Sequence, residues 1–141
     1  MTAPEKSALE ALRHRIRAFE TGGGAVRPVF RPGLGAIDRA LPGGGLARGA
    51  VHEILGAGGD EEDGALPAAF AALVLRRLEG VVFWCTGAAD LGAAGLAAFG
   101  LGPERLVIAR TRRDEDALWA AEEGLRAEGV VAVVAEGSAL P

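Results

Sequence analysis

The sequence predicts an α/β protein whose parallel sheet is flanked by helices. Three observations lead there. Short apolar runs alternate with segments of helical periodicity from residue 50 onward. The run Val81–Cys85 is apolar without interruption, the mark of a strand covered on both faces. The stretch Leu41–Gly64 reads as turn, short strand, glycine loop and helix start, the layout of a phosphate-binding P-loop unit. Right-handed crossovers between the parallel strands are then expected.

The elements follow in order. Ser7–Glu20 is expected to be an amphipathic helix, opened by Ser7 or Pro4. Leu9, Leu12, Ile16 and Phe19 form its apolar stripe, and Arg13, His14, Arg15 and Arg17 cover the rest. Thr21–Gly24 ends the helix as a glycine joint. The domain plan is therefore residues 1–24 as helix and hinge and 25–141 as an α/β core. The helix reads equally as a packed edge helix or as a docking helix with a basic rim. Pro28–Pro32 is extended. Gly35–Leu41 is a short helix with Ile37 and Leu41 inward and Asp38 and Arg39 outward. Pro42–Gly45 is a tight loop, and Ala50–Leu55 is the first buried strand. Leu66–Leu78 is a helix with Pro67 in its first turn and Phe70, Leu73, Val74 and Leu78 on its core face. Val81–Cys85 is the second strand, Leu91–Phe99 a small-residue helix, and Leu106–Ala109 the third strand. Asp114–Glu128 is a helix whose acidic first turn suits its positive end, with Leu118, Ala121 and Leu125 inward. Gly124 inside it costs up to about 1 kcal/mol relative to alanine. Val130–Ala135 is the fourth strand.

The glycine loop lacks the residues for its chemistry. A working P-loop ends in Gly-Lys-Ser/Thr; the lysine reaches the phosphates and the hydroxyl holds magnesium. Here Gly56, Gly58, Gly59 and Gly64 surround Asp60, Glu61, Glu62 and Asp63, and no lysine follows Lys6. Four carboxylates stand where a triphosphate would bring negative charge. The loop reads as a degenerate phosphate site and most simply as a solvated loop; no cofactor, metal or catalytic residue is assigned.

The 141 residues fit one domain with a core of its own. Half are apolar, much of that alanine and glycine. Net charge is −4, unevenly spread: residues 1–50 carry eight Lys/Arg against four acids, and the rest carry seven Arg against fifteen. That balance permits a basic surface at the N-terminus and argues against a whole-domain nucleic-acid binder. A single cysteine, no signal-peptide core and no apolar run of membrane length lead to the expectation of a soluble cytoplasmic protein. His52 and Glu53 alternate on a strand and read as structural, Cys85 as an inert core thiol and Trp84 as sheet core. Trp119 reads as an exposed edge. Arg110, Arg112 and Arg113 read as a charged turn partly cancelled by Asp114–Asp116.

Phe30–Leu41, then Pro42-Gly43-Gly44-Gly45-Leu46 and Gly49-Ala50-Val51-His52-Glu53-Ile54, resembles the opening of the RecA ATPase core. The form L-P-G-G-G-L-x-R-G-x-x-H-E-I-L-G, with the L-R-x-R-I-R helix before it, resembles the ImuA family of bacterial damage-inducible mutagenesis operons. The similarity runs from about Leu9 to the C-terminus. It implies a RecA-like fold and a non-catalytic adaptor in error-prone translesion synthesis. The implied partners are an ImuB-type polymerase-like hub, a DnaE-type polymerase and RecA, with DNA contact indirect or weak and self-association open. By the same resemblance, Leu9, Leu12, Arg13, Arg15, Ile16, Arg17 and Phe19 are the candidate partner-binding residues.

The RecA pattern's catalytic positions are not matched. Thr86-Gly87-Ala88-Ala89 offers no carboxylate before Asp90. Ala135 stands where a magnesium-linked aspartate is expected, and Glu136, one place later, is expected to face the opposite side. ATP hydrolysis is therefore not expected. RecA-type cores also continue past the fourth strand with one that inserts between the fourth and the first, so the chain is expected to be C-terminally truncated and to lack the strand that joins Ala50–Leu55 to the rest. Two other functions compete: an active RecA-like ATPase or recombinase, against which the missing lysine and acids count, and a SulA-like division inhibitor, against which the arginine-rich helix and the H-E-I-L-G block count.

Overall fold

A computed structural model describes residues 3–20, 27–56 and 65–137, with side chains described for 8–16 within the first span. They fall into two compact units. One runs through Arg31 and resumes over Gly35–Val51; the other takes Pro32–Leu34 and the residues from His52 onward.

In the first unit, α1 spans Ala3–Glu20 and starts a turn earlier than Ser7. Pro4 sits in its first turn, where a missing N–H costs nothing. The short strands β1 (Val29–Phe30) and β2 (Leu46–Ala47) pair antiparallel, Val29 opposite Ala47 and Phe30 opposite Leu46. Between them lie α2 (Ala36–Ala40) and a 3₁₀ turn, Pro42–Gly44. Leu41 is extended, at φ −80° and ψ 145°, because the ring of Pro42 disfavours a helical residue before it. The expected burial of α2 is corrected: Ile37 is exposed and Asp38 is half-buried. Five residues are too few for periodicity to fix a face.

The second unit holds a three-stranded parallel sheet. The strands β3 (Val81–Thr86), β4 (Leu106–Arg110) and β5 (Val130–Ala135) stand in the order β4-β3-β5. Phe83 lies opposite Val107 on one side and Val133 on the other. Alternation along β3 divides two cores. Val82 and Trp84 point to the face covered by α3 (Leu66–Leu75) and α4 (Ala93–Ala98), where they pack with Ala71, Ala72, Leu96 and Leu101. Phe83 and Cys85 point to the face covered by α5 (Asp114–Arg126), against Ala117 and Ala121. The chain leaves β3 through α4 to reach β4, then returns across β3 through α5 to β5. The two connections run in opposite directions and so lie on opposite faces, as uniform handedness requires.

Three expectations are corrected here. Ala50–Leu55 is not a strand. Residues 51–56 are exposed coil and belong to no strand, Val51 being almost completely exposed. Apolar pattern gives a segment strand propensity, but a strand exists only where a neighbour takes its backbone hydrogen bonds. The core faces of two helices also differ. On α3, Ala71, Ala72 and Val74 are buried with Ala68 and Leu75 against them, whereas Phe70, Leu73 and Leu78 are half-buried. On α5, Ala117, Ala121 and Gly124 face the sheet, and Leu118 and Leu125 are exposed. Small residues set these helices close to the sheet. A Cβ on Gly124 would lie 2.7 Å from the Phe83 ring, so the glycine is a packing requirement.

Candidate functional site

Parallel α/β sheets commonly bind ligands in crevices outside the carboxyl ends of their strands. Outside the ends of β3 and β5, on the face covered by α3 and α4, lies such a crevice. It is a cavity of about 270 Å³. Ala65 and Ala69 from the start of α3, Leu91 from the β3–α4 loop, and Leu96 and Phe99 from α4 give it apolar walls. Its ionisable lining residues are Asp90 and Glu136.

Thr86 holds Glu136 in place. It is fully buried at the end of β3; its hydroxyl donates to a carboxylate oxygen of Glu136 and accepts from the Ala88 N–H at 2.9 Å. Two backbone bonds hold the same corner: Glu136 N–H to Cys85 O and Thr111 N–H to Thr86 O, both 2.9 Å. Arg110 at the end of β4 reaches across, donating to Ala88 O at 2.7 Å and Leu91 O at 2.5 Å. It ties down the loop that carries Asp90. Burial pushes the Cys85 thiol up from its ordinary pKa, which suppresses the nucleophilic thiolate.

Glu136 faces the side opposite to Ala135, as alternation expects: Ala132 and Val134 pack on the face covered by α3 and α4, and Val133 and Ala135 on the face covered by α5. The side it faces is the one that carries the cavity. Thr86, Arg110 and Arg105 are positions that sequence reasoning missed. Arg105 donates to the carbonyls of Arg76 at 3.0 Å, Gly80 at 3.1 Å and Leu78, and so caps the end of α3. A buried threonine and a bracing arginine carry no periodicity signal.

Among the described residues the cavity lining holds two carboxylates, Asp90 and Glu136, and no lysine or arginine, so its charge opposes a polyphosphate; the Thr86 hydroxyl is engaged with Glu136. Of the degenerate loop, Gly56 is exposed coil; Gly58, Gly59, Asp60, Glu61, Glu62, Asp63 and Gly64 lie outside the described residues. Among the described residues, no three or more His, Cys, Asp or Glu stand together as a metal site. No helix among them is long and apolar enough to cross a membrane.

The candidate docking residues belong to α1. Leu12 is 53% exposed and Ile16 47%, Leu9 is half-buried, and Arg13 and Arg15 are exposed. The side chains of Arg17 and Phe19 lie outside the described set, as does the glycine joint from Thr21 to Gly24. Arg113 bonds Asp116 at 2.6 and 3.0 Å, a solvated pair as the charged-turn reading expects.

Two curated relatives match this chain: Protein ImuA of Caulobacter vibrioides strain NA1000 / CB15N and Protein ImuA of strain ATCC 19089 / CIP 103742 / CB 15. Each is 41% identical over 125 residues, covering 86% of this chain and 51% of the relative. The chain thus spans about half the length of the curated relatives it matches. No family model and no solved structure matches it.

Proposed function

We propose that the chain belongs with the ImuA proteins it matches and serves damage-inducible mutagenesis as a non-catalytic adaptor with a RecA-like core. On this reading it joins an ImuB-type polymerase-like hub and a DnaE-type polymerase, and it neither binds nor hydrolyses ATP. Kinship to ImuA carries the assignment to mutagenesis. The acid-lined cavity at the carboxyl end of the sheet carries the non-catalytic part, because it offers carboxylates where a phosphate site needs N–H donors and a lysine. The strand order and the helices on both faces are compatible with a RecA-like core. The exposed apolar stripe of α1 supports a docking role for that helix, since a packed edge helix would bury Leu12 and Ile16.

Two measurements test the reading. Titration calorimetry of the folded chain with Mg-ATP should show no heat of binding; saturable binding sinks the non-catalytic claim. Pull-down with an ImuB-type protein should capture the chain, and the triple variant Leu12→Ser, Ile16→Ser, Phe19→Ser should lose capture. Capture by the variant equal to that of the parent removes α1 from the interface.

A further inference from the structure

The helix α5 is built inside out. At 100° per residue, Ala117, Ala121 and Gly124 occupy one arc, and that arc is buried on the sheet. Its large apolar side chains lie outside that arc, Leu118 and Leu125 on its flank about 75–95° round and Trp119 on the opposite side. Leu118 is 41% exposed, Trp119 67% and Leu125 74%. Leu118 and Leu125 stand two turns apart, in line along the axis; Trp119 lies about 100° round from Leu118. Between them runs a strip formed by Glu115 and Glu122. Arg126 bonds Glu122 at 2.5 Å and Glu123 at 2.7 Å, pairs more than half exposed on both sides and therefore cheap to exchange. The face is an acidic strip with apolar shoulders.

We infer that this outward face of α5 docks a basic amphipathic helix of a partner protein. The charge selects the occupant. Carboxylates along the centre of the strip repel a phosphate backbone and attract arginine or lysine. Two leucines one above the other match the spacing of anchors at i, i+3, i+4 and i+7 on a helix laid alongside. An exposed tryptophan beside them supplies the large, rigid contact on which protein interfaces concentrate their affinity. The inference stands on α5 alone and does not depend on the mutagenesis reading.

The test uses the full chain and two synthetic probes. One is a helical peptide of leucine, alanine and arginine with leucine at every third and fourth position; the other has glutamate in place of arginine. Trp119 is exposed and Trp84 fully buried, so a blue shift of emission on adding peptide reports the α5 face. The arginine peptide should give a saturable shift and the glutamate peptide none. By calorimetry, the pair Glu115→Arg and Glu122→Arg should weaken binding about tenfold or more, and Trp119→Ala about thirtyfold. The pair Glu79→Arg and Glu104→Arg makes the same change in net charge away from α5 and should leave binding unaltered. Far-ultraviolet circular dichroism checks that each variant is folded. Equal loss in both charge pairs, equal binding of both peptides, or the same emission shift with a single-stranded oligonucleotide overturns the inference.

Discussion

Arg105 shows how much of this fold rests on single side chains. Its guanidinium satisfies carbonyls of Arg76, Leu78 and Gly80, which the end of α3 and the turn after it would otherwise leave without partners. Arg105→Ala should lower stability by about 1–3 kcal/mol, measured by urea denaturation, because it orphans several half-buried acceptors. A change below about 0.5 kcal/mol would mean that water replaces the clamp. Gly124→Ala sets two effects against each other. Alanine gains up to about 1 kcal/mol in helix propensity. Its Cβ, however, would press to 2.7 Å on the Phe83 ring, and overpacking of this kind costs about 1–3 kcal/mol. The variant should be destabilised, and a gain in stability would show that the Phe83 ring moves aside. Composition alone shows only a glycine misplaced in a helix; its reason is a residue 41 positions away, on the strand beneath.

The strands β3, β4 and β5 and the helices between them were legible in the sequence to within a few residues, because each carries its own signal: an unbroken apolar run or a helical period with glycine at its end. What was not legible depended on neighbours. Leu118 and Leu125 satisfy the rule for an inner face, and yet the sheet takes Ala117, Ala121 and Gly124 because only small side chains allow so close an approach. Val51–Leu55 has the residues of a strand but lies in neither sheet of the described residues. Hydrogen exchange should show the amides of 51–55 exchanging within seconds at neutral pH, while those of Val82–Cys85 persist far longer. Comparable protection in a dilute sample would mean that 51–55 is paired after all. The cavity was half legible. The loss of phosphate-binding residues could be read directly, but the meeting of Thr86 and Glu136, 50 residues apart, required the parallel register of β3 and β5.

The second unit depends on β3, because both other strands pair with it and both cores are divided by it. Val82 is completely buried, and Val82→Ala should cost about 2 kcal/mol. Exchange protection in β4 and β5 should fall together, by the same factor, although only one core is touched. Unequal loss would show that the two faces open independently. The same strand order has a consequence for synthesis. The strand β3 leaves the ribosome before either partner: its last residue precedes the first residue of β5 by more than forty positions. At about 5–20 residues per second, that interval is roughly 2–9 s, during which the most buried strand of the unit has at most one neighbour. The chain therefore passes through a window in which chaperone capture competes with sheet completion, and slow codons between β4 and β5 would lengthen it.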